Sequence, residues 1–276
     1  MVKVTEKDYY LDGYMEEINI AIANRVKKRK QDIVIIYDGK EGSGKTNASI
    51  AQAYHLGVLT GRKFDNDNIF FDLNDMIKFA GHTEEQIILW DEAALGGLAA
   101  DWTNFAQRKL KSMLMVCRKK RHIFIFNVPR FFRLSPGIIE RAYCLFHIYE
   151  NDKEEPGNFM FIGADYLEGL YLFWKSKKFA NYWKFKKFHG CFTWVLPKLI
   201  DEEKYEAEKD AAILKLADSE QEDKTRMAST MLRKGISWRF EDFCKKYGIK
   251  VTQDEKSSII GVGKHAYSNY LRDKPK

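Results

Sequence analysis

"YDGKEGSGKT", residues 37–46, follows the apolar run "IVII" (33–36) and precedes "NASIAQAYHL" (47–56), whose pattern is helical. It matches GxxxxGK[ST] at every fixed position: Gly39, Gly44, Lys45 and Thr46. Glycines allow left-handed backbone angles that turn consecutive N–H groups toward one anion, and the dipole of the following helix adds positive potential there. Strand, glycine turn and helix in this order are the pattern of a phosphate-binding loop. Gly39, Lys40, Glu41, Gly42, Ser43, Gly44, Lys45, Thr46 and Asn47 are therefore the expected nucleotide contacts. Lys45 would reach the β and γ phosphates and the Thr46 hydroxyl would hold Mg²⁺, so ATP and Mg²⁺ are the expected cofactors.

Working outward, short apolar runs alternate with helical patterns. Strands are expected at 33–36, 69–71, 87–90, 122–127 and 143–149, with helices at 11–28, 46–56, 74–80 and 105–117. That alternation predicts an α/β fold, a mainly parallel sheet with helices on both faces. The runs 158–163 and 169–174 read as a hairpin extending the sheet.

A phosphate loop needs a second metal-organising group at the end of a neighbouring strand. "IILWDE" (87–92) supplies Asp91 for Mg²⁺ and Glu92 to orient and deprotonate an attacking water. A small regulatory GTPase would carry DxxG here and NKxD later. The chain has "DEAA", and a small-molecule kinase usually lacks the second carboxylate, so ATP hydrolysis is the favoured chemistry. Asn127, ending "HIFIFN", is placed as a sensor of the γ-phosphate or lytic water. Arg118, Arg121 and Arg141 are candidates for an arginine that neutralises transition-state charge on a neighbouring subunit's ATP, and equally for salt bridges or DNA contacts.

No apolar run reaches the roughly 20 residues needed to span a bilayer, and the polar start "MVKVTEKDYY" is unlike a signal peptide, so a cytoplasmic location is expected. Cys117, Cys144, Cys191 and Cys244 are far apart, without metal-ligand spacing, and are expected to be buried free thiols. The net charge of +7 suggests an anionic partner, and its distribution is uneven. Residues 169–200 contain no carboxylate, 201–223 are strongly acidic, and 224–276 are basic again. The expected division is an N-terminal helical extension (1–30), a phosphate-loop domain (31–200), an acidic linker helix (201–223) and a small all-α, helix-turn-helix-like DNA-binding domain (224–276).

The series "YDGKEGSGKT", "IILWDEA" and "RKKRHIFIFNVPRFFRLSPGIIERAYCLFHIYE" resembles the FtsK and HerA class of ATPases, particularly the zonular occludens toxin-like and viral genome-packaging branch. The similarity covers residues 30–150. It implies a RecA/ASCE-like P-loop NTPase core, homo-oligomeric rings, often hexamers, that thread DNA, and viral or plasmid protein partners. It carries Lys45 and Thr46 over as nucleotide and Mg²⁺ contacts, Asp91 and Glu92 as metal and water residues, and Asn127 as sensor. Relatives commonly place Gln at the position of Asn127, and toxin-like members often carry a membrane span.

"VTQDEKSSIIGVGKHAYSNYLRD" (251–273) has helix-turn-helix form, with helices at 253–260 and 264–272 around "GVG". Ile259, Val262, Ala266 and Leu271 are its expected apolar contacts. Lys264, His265, Tyr267, Ser268 and Asn269 are expected on the outward face, where phosphate and base contacts are made. Residues 173–198 interleave lysines with Phe, Tyr and Trp. Such a segment can track a nucleic-acid strand, complete the core beneath a solvated lysine face, or lie on a membrane surface. Together these features predict a DNA-acting ATPase that translocates or packages DNA. An ATP-dependent replication initiator or loader and a nucleotide-gated assembly module are the alternatives.

Overall fold

The computed structural model describes residues 2–4, 9–29, 31–91, 105–151, 155–193 and 198–274. They fall into two compact units, Met1–Ile213 and Leu214–Lys276. In the first unit, β1 (Val2–Val4) and β2 (Tyr9–Leu11) form a small antiparallel pair before α1 (Gly13–Arg29). The main sheet then begins with β3 (Ile33–Gly39), which leads into α2 (Lys45–Thr60). Next come β4 (Ile69–Phe70), α3 (Leu73–His82), β5 (Ile87–Asp91), α4 (Phe105–Val116), β6 (Ile123–Asn127), α5 (Pro136–Ile139) and β7 (Ala142–Tyr149). The sheet closes with β8 (Asn158–Gly163), α6 (Ala164–Lys177), α7 (Tyr182–Phe185) and β9 (Phe188–Cys191).

Strand order is β4-β5-β6-β3-β7-β8-β9. The first five run parallel, and β8 and β9 add antiparallel at one edge. The β-branched run of β3 is buried along its whole length because layers pack on both of its faces. Alternation separates the two cores. Ile33, Ile35 and Tyr37 join Met15, Ile22, Ile50 and Leu56 of α1 and α2. Val34 and Ile36 join residues of α3, α4, α5 and α6 on the other face. This is an α/β fold, a mainly parallel sheet between helical layers, with β6 inserted between the strand that carries the glycine loop and the strand that carries Asp91.

Three features differ from the sequence-based expectation. Residues 169–174 are helix, not strand: Leu167, Leu170 and Trp174 recur at helical spacing and pack against the core, so tertiary burial selects a helix despite Gly169. Leu11 belongs to β2, and α1 is an integral layer of the sandwich, its Met15, Ile22 and Val26 sharing one core with β3 and α2. Cys117, Cys144 and Cys244 are buried as expected, whereas Cys191 is exposed.

The second unit holds the end of the long helix α8 (Glu202–Lys246) with α9 (Gln253–Ile260) and α10 (Lys264–Arg272). Thr252 and Glu255 form a reciprocal cap on α9, and Gly261, left-handed at φ 70°, ends it. Tyr267 corrects an expectation. It is fully buried, donating to Glu241 Oε2 at 3.1 Å, and Glu241 also pairs with Lys256 at 2.9 Å. Burial and the neighbouring carboxylate push its hydroxyl up to about 12. Tyr267 therefore fills the core of this unit and does not face outward, while Ile259 is exposed. The ring and not the aliphatic side chain closes the contact, helped by Trp238 Nε1, which donates to Tyr270 O at 2.5 Å.

His122, fully buried before β6, gives the fold a testable pH dependence. Its Nδ1 accepts the Gln86 N–H at 3.1 Å while Nε2 donates to Ala80 O at 3.1 Å, so the neutral ring satisfies both partners. Burial lowers its pKa, and the Lys120 and Arg62 charges act in the same direction. Stability from the neutral ring is thus complete above about pH 6.5 and lost as pH falls through the lowered value. Between pH 7.5 and 5 the urea-unfolding free energy should fall in the wild type by on the order of 1 kcal/mol more than in His122→Gln, the worth of one buried hydrogen bond.

Candidate nucleotide-binding site

β3 ends at Gly39 and α2 begins at Lys45, so the loop between them sits at the C-terminal edge of the parallel strands. Two glycines are required by geometry. Gly39 has φ +147°, and a Cβ there would lie 2.2 Å from Ile148 O of the adjacent β7. Gly44 has φ +93° and would place a Cβ 3.2 Å from the Phe192 ring. Lys45, a residue only 5% exposed, folds its ammonium back over the loop and donates to Gly39 O at 2.8 Å and Lys40 O at 2.7 Å. Burial lowers its pKa, against the raising influence of Asp91, Asp38 and Glu41. Ser43 Oγ closes the loop by donating to Lys40 O at 2.7 Å. Lys40, Glu41 and Gly42 are exposed, and Asn47 is half-buried in the first turn of α2.

The strand register brings the remaining groups into line. Tyr37 pairs with Asn127 and Asn127 with Asp91 across three adjacent strand ends. Thr46 Oγ1 donates to Asp91 Oδ2 at 2.6 Å, bridging helix and strand across β6. Asn127, fully buried, donates through Nδ2 to Ser49 Oγ at 2.9 Å, and Ser49 in turn donates to Thr46 O at 2.9 Å. Asn127 Oδ1 has no hydrogen-bond partner among the described residues. A hydroxyl and a carboxylate so close form a hard-oxygen pair of the kind that Mg²⁺ uses beside phosphate oxygens, and their geometry fits that ion. No cluster of three or more His, Cys, Asp or Glu suited to a metal occurs among the described residues.

Several contacts escaped the sequence reading. Tyr205, from the first turns of α8, donates to Asp91 Oδ2 at 3.0 Å, so this carboxylate oxygen serves Thr46 and Tyr205 together. Burial first, then the Asp91 charge, raises the Tyr205 pKa strongly. Asn66 and Asp201 bond each other twice, at 2.8 and 2.9 Å, and seat that end of α8. The available signal was a single aromatic in the acidic stretch "DEEKYEAEKD". On the opposite face of β3, Asp38 is fully buried: Oδ1 contacts His147 Nδ1 at 2.8 Å, and Oδ2 accepts from Tyr182 OH at 2.6 Å and Phe131 N at 3.0 Å. Its signal was a carboxylate ending an apolar strand one residue before Gly39.

The arginine candidates lie elsewhere in this chain. Arg141 precedes β7 and bonds Asp32 at 2.7 Å, just before β3, at the sheet edge opposite the glycine loop. Arg118 is exposed in the 3-10 turn Cys117–Lys120 before β6, at that same edge, and Arg121 pairs with Glu85 at 2.5 Å. Glu92 lies outside the described residues. In the second unit Lys264 pairs with Asp254 at 2.8 Å, His265 and Asn269 are exposed, and Ser268 is half-buried.

No protein-family model matches the chain, and no curated protein does. Solved structures match about half of it. C. elegans PCH-2 is 15% identical over 50% of this chain and 43% of its own, with a TM-score of 0.35. The genome packaging NTPase of Sulfolobus turreted icosahedral virus 2, in complex with ATP-gammaS, is 14% identical over 49% of this chain and 93% of its own, TM-score 0.33. Rhizobiales Trip13 is 14% identical over 52% of this chain and 69% of its own, TM-score 0.32. The chain thus spans less than half the length of the nematode protein it matches. The chemistry of the site rests on its own geometry.

Gly39→Ala puts a methyl into a carbonyl oxygen at a strained φ. It should lower unfolding free energy by about 3 kcal/mol, the range of severe backbone and packing lesions, as read by urea denaturation.

Proposed function

We propose that the chain is an ATP-hydrolysing motor that moves or packages DNA as an oligomeric ring in a virus or plasmid. The observation that carries the nucleotide reading is the convergence of a buried Lys45, a left-handed Gly44 opening α2, and a Thr46–Asp91 bond of 2.6 Å at one sheet edge. Glycine-loop amides and Lys45 would hold the triphosphate, and Thr46 and Asp91 would hold Mg²⁺, which supplies charge neutralisation at the phosphates. Glu92, next in sequence to Asp91, takes the proton from a water whose oxygen attacks the γ-phosphorus. The bond to the β–γ bridging oxygen breaks and ADP and phosphate leave. Asn127, two hydrogen bonds from Thr46 through Ser49, positions that water.

The DNA part rests on different support. The sequence series around the loop resembles ring-forming DNA motors, and two short helices, α9 and α10, joined through Gly261 and Gly263 with His265 and Asn269 exposed, support the helix-turn-helix reading. Arg118 and Arg141 would act only in trans, from a neighbouring copy. Among the described residues no helix is long and apolar enough to cross a membrane.

A second reading, a nucleotide-gated assembly module, is favoured by one contact. Tyr205 shares Asp91 with Thr46 and belongs to α8, so loading the metal site would be felt directly by that helix.

Steady-state ATPase rates with and without DNA, together with oligomeric state by light scattering, separate these readings. The motor predicts hydrolysis stimulated by DNA of any sequence, lost about 100-fold or more in Lys45→Ala and Glu92→Gln, a loss on the scale of removing one electrostatic or acid–base group. Persistence of DNA movement in Glu92→Gln would leave the gated module. Tyr205→Phe removes one hydrogen bond from Asp91 and should lower the Mg²⁺ concentration for half-maximal nucleotide binding roughly fivefold, about 1 kcal/mol. A titration with a fluorescent ATP analogue reads it.

A further inference from the structure

The stretch 169–200 contains seven lysines and no carboxylate, yet its aromatic side chains do not share one environment. Tyr171, Trp174, Tyr182 and Phe185 pack against the core below α6. Phe179 and Trp183 do not: they are 54% and 56% exposed. Burying neither ring is unfavourable for the folded chain alone, and a large exposed aromatic flanked by cations is the feature that calls for a partner.

The arrangement around Trp183 is specific. Lys186 Nζ lies 3.6 Å from the centre of its ring, His189 lies beside it at 5.7 Å, and Tyr149 meets it edge-on at 6.1 Å. Lys184 Nζ sits 4.8 Å over Phe173, whose edge meets Phe179 at 5.3 Å. Lys184 and Lys187 are exposed, and no described carboxylate forms an ion pair with Lys184, Lys186 or Lys187. Cations without a carboxylate partner therefore lie beside two half-exposed aromatic rings on the surface formed by α7 and the turn after α6.

We propose that this surface, centred on Trp183 and Phe179 with Lys184, Lys186 and Lys187, binds single-stranded nucleic acid. The chemistry matches a polymer that presents phosphates and unpaired base faces alternately. A duplex offers the phosphates but hides the base faces, and an acidic peptide offers carboxylates with no use for the rings. Trp183 is held in a fixed plane by Tyr149, His189 and Lys186, which suits stacking better than insertion into a bilayer. The surface also has a mechanical tie to the nucleotide loop. Tyr182, next to Trp183, donates to Asp38 at 2.6 Å, and Asp38 immediately precedes Gly39. Strand binding here goes beyond the ATPase reading and does not depend on it.

Full-length protein without nucleotide is titrated into a fluorescent oligothymidylate, its duplex with oligoadenylate, and phosphatidylserine vesicles. Trp183→Ala should weaken oligothymidylate binding about tenfold while leaving duplex binding unchanged, the scale of one lost base–aromatic stack. Trp183→Phe should retain most of the affinity. The double variant Lys184→Glu, Lys187→Glu should flatten the salt dependence by a slope of about 1.4, two single-strand phosphate contacts. Unchanged oligothymidylate affinity in Trp183→Ala overturns the proposal, as does equal weakening for the duplex. Weakening seen only with vesicles assigns the surface to lipid and also overturns it. Basal ATPase activity of Trp183→Ala should equal that of the wild type. Lys45→Ala should still bind the oligonucleotide, so failure of either reading is seen separately.

Discussion

The bond between Thr46 and Asp91 organises the edge of the sheet where the chemistry is proposed. It joins the first turn of α2 to the end of β5 across the intervening β6, and so fixes the distance between the glycine loop and the acidic strand end. Parallel register makes that possible, because strands that run the same way end at the same edge. Asn127 is brought between the two by the same register, and Ser49 ties it to the helix. The buried Lys45 ammonium and the buried Asp91 carboxylate tolerate their low-dielectric surroundings because each is hydrogen-bonded, the first by loop carbonyls and the second by hydroxyls.

Two carboxylates on opposite faces of the sheet extend this site in different directions. Asp91 reaches α8 through Tyr205. Asp38 reaches α7 through Tyr182 and the turn after β6 through the Phe131 N–H, with Tyr182 stacked on His147 at 3.5 Å between ring centres. Either contact would transmit a shift of the glycine loop, since both carboxylates belong to strands that end beside it. Under the proposed function, the two aromatic hydroxyls are the places at which nucleotide occupancy would be coupled to surfaces elsewhere on the first unit.

Much of this was legible before folding. The glycine loop, Lys45, Thr46 and Asp91 are spaced by the rigid local geometry of a strand, a turn and a helix, so their pattern survives in one dimension. The alternation of apolar runs with helical patterns announced the parallel sheet for the same reason, and the boundaries of α9 and α10 followed from a capping residue and two glycines. Local chemistry alone determined these elements.

What only the tertiary structure decided is long-range or depends on burial. Residues 169–174 satisfy both helix and strand patterns, and the helix prevails because Leu167, Leu170 and Trp174 then share one face against the sheet. Tyr267 lies on an amphipathic helix whose buried side is chosen by Glu241 and Trp238 from a distant part of the chain. Tyr205 and Asp91 are 114 residues apart, and Tyr182 and Asp38 are 144 apart. No periodicity encodes such meetings. The sequence by itself determined that this protein places a glycine-rich loop between a strand and a helix of an α/β sheet. Three-dimensional packing determined which aromatic side chains touch its carboxylates and which remain open to a partner, because burial depends on residues that approach only when the sheet closes.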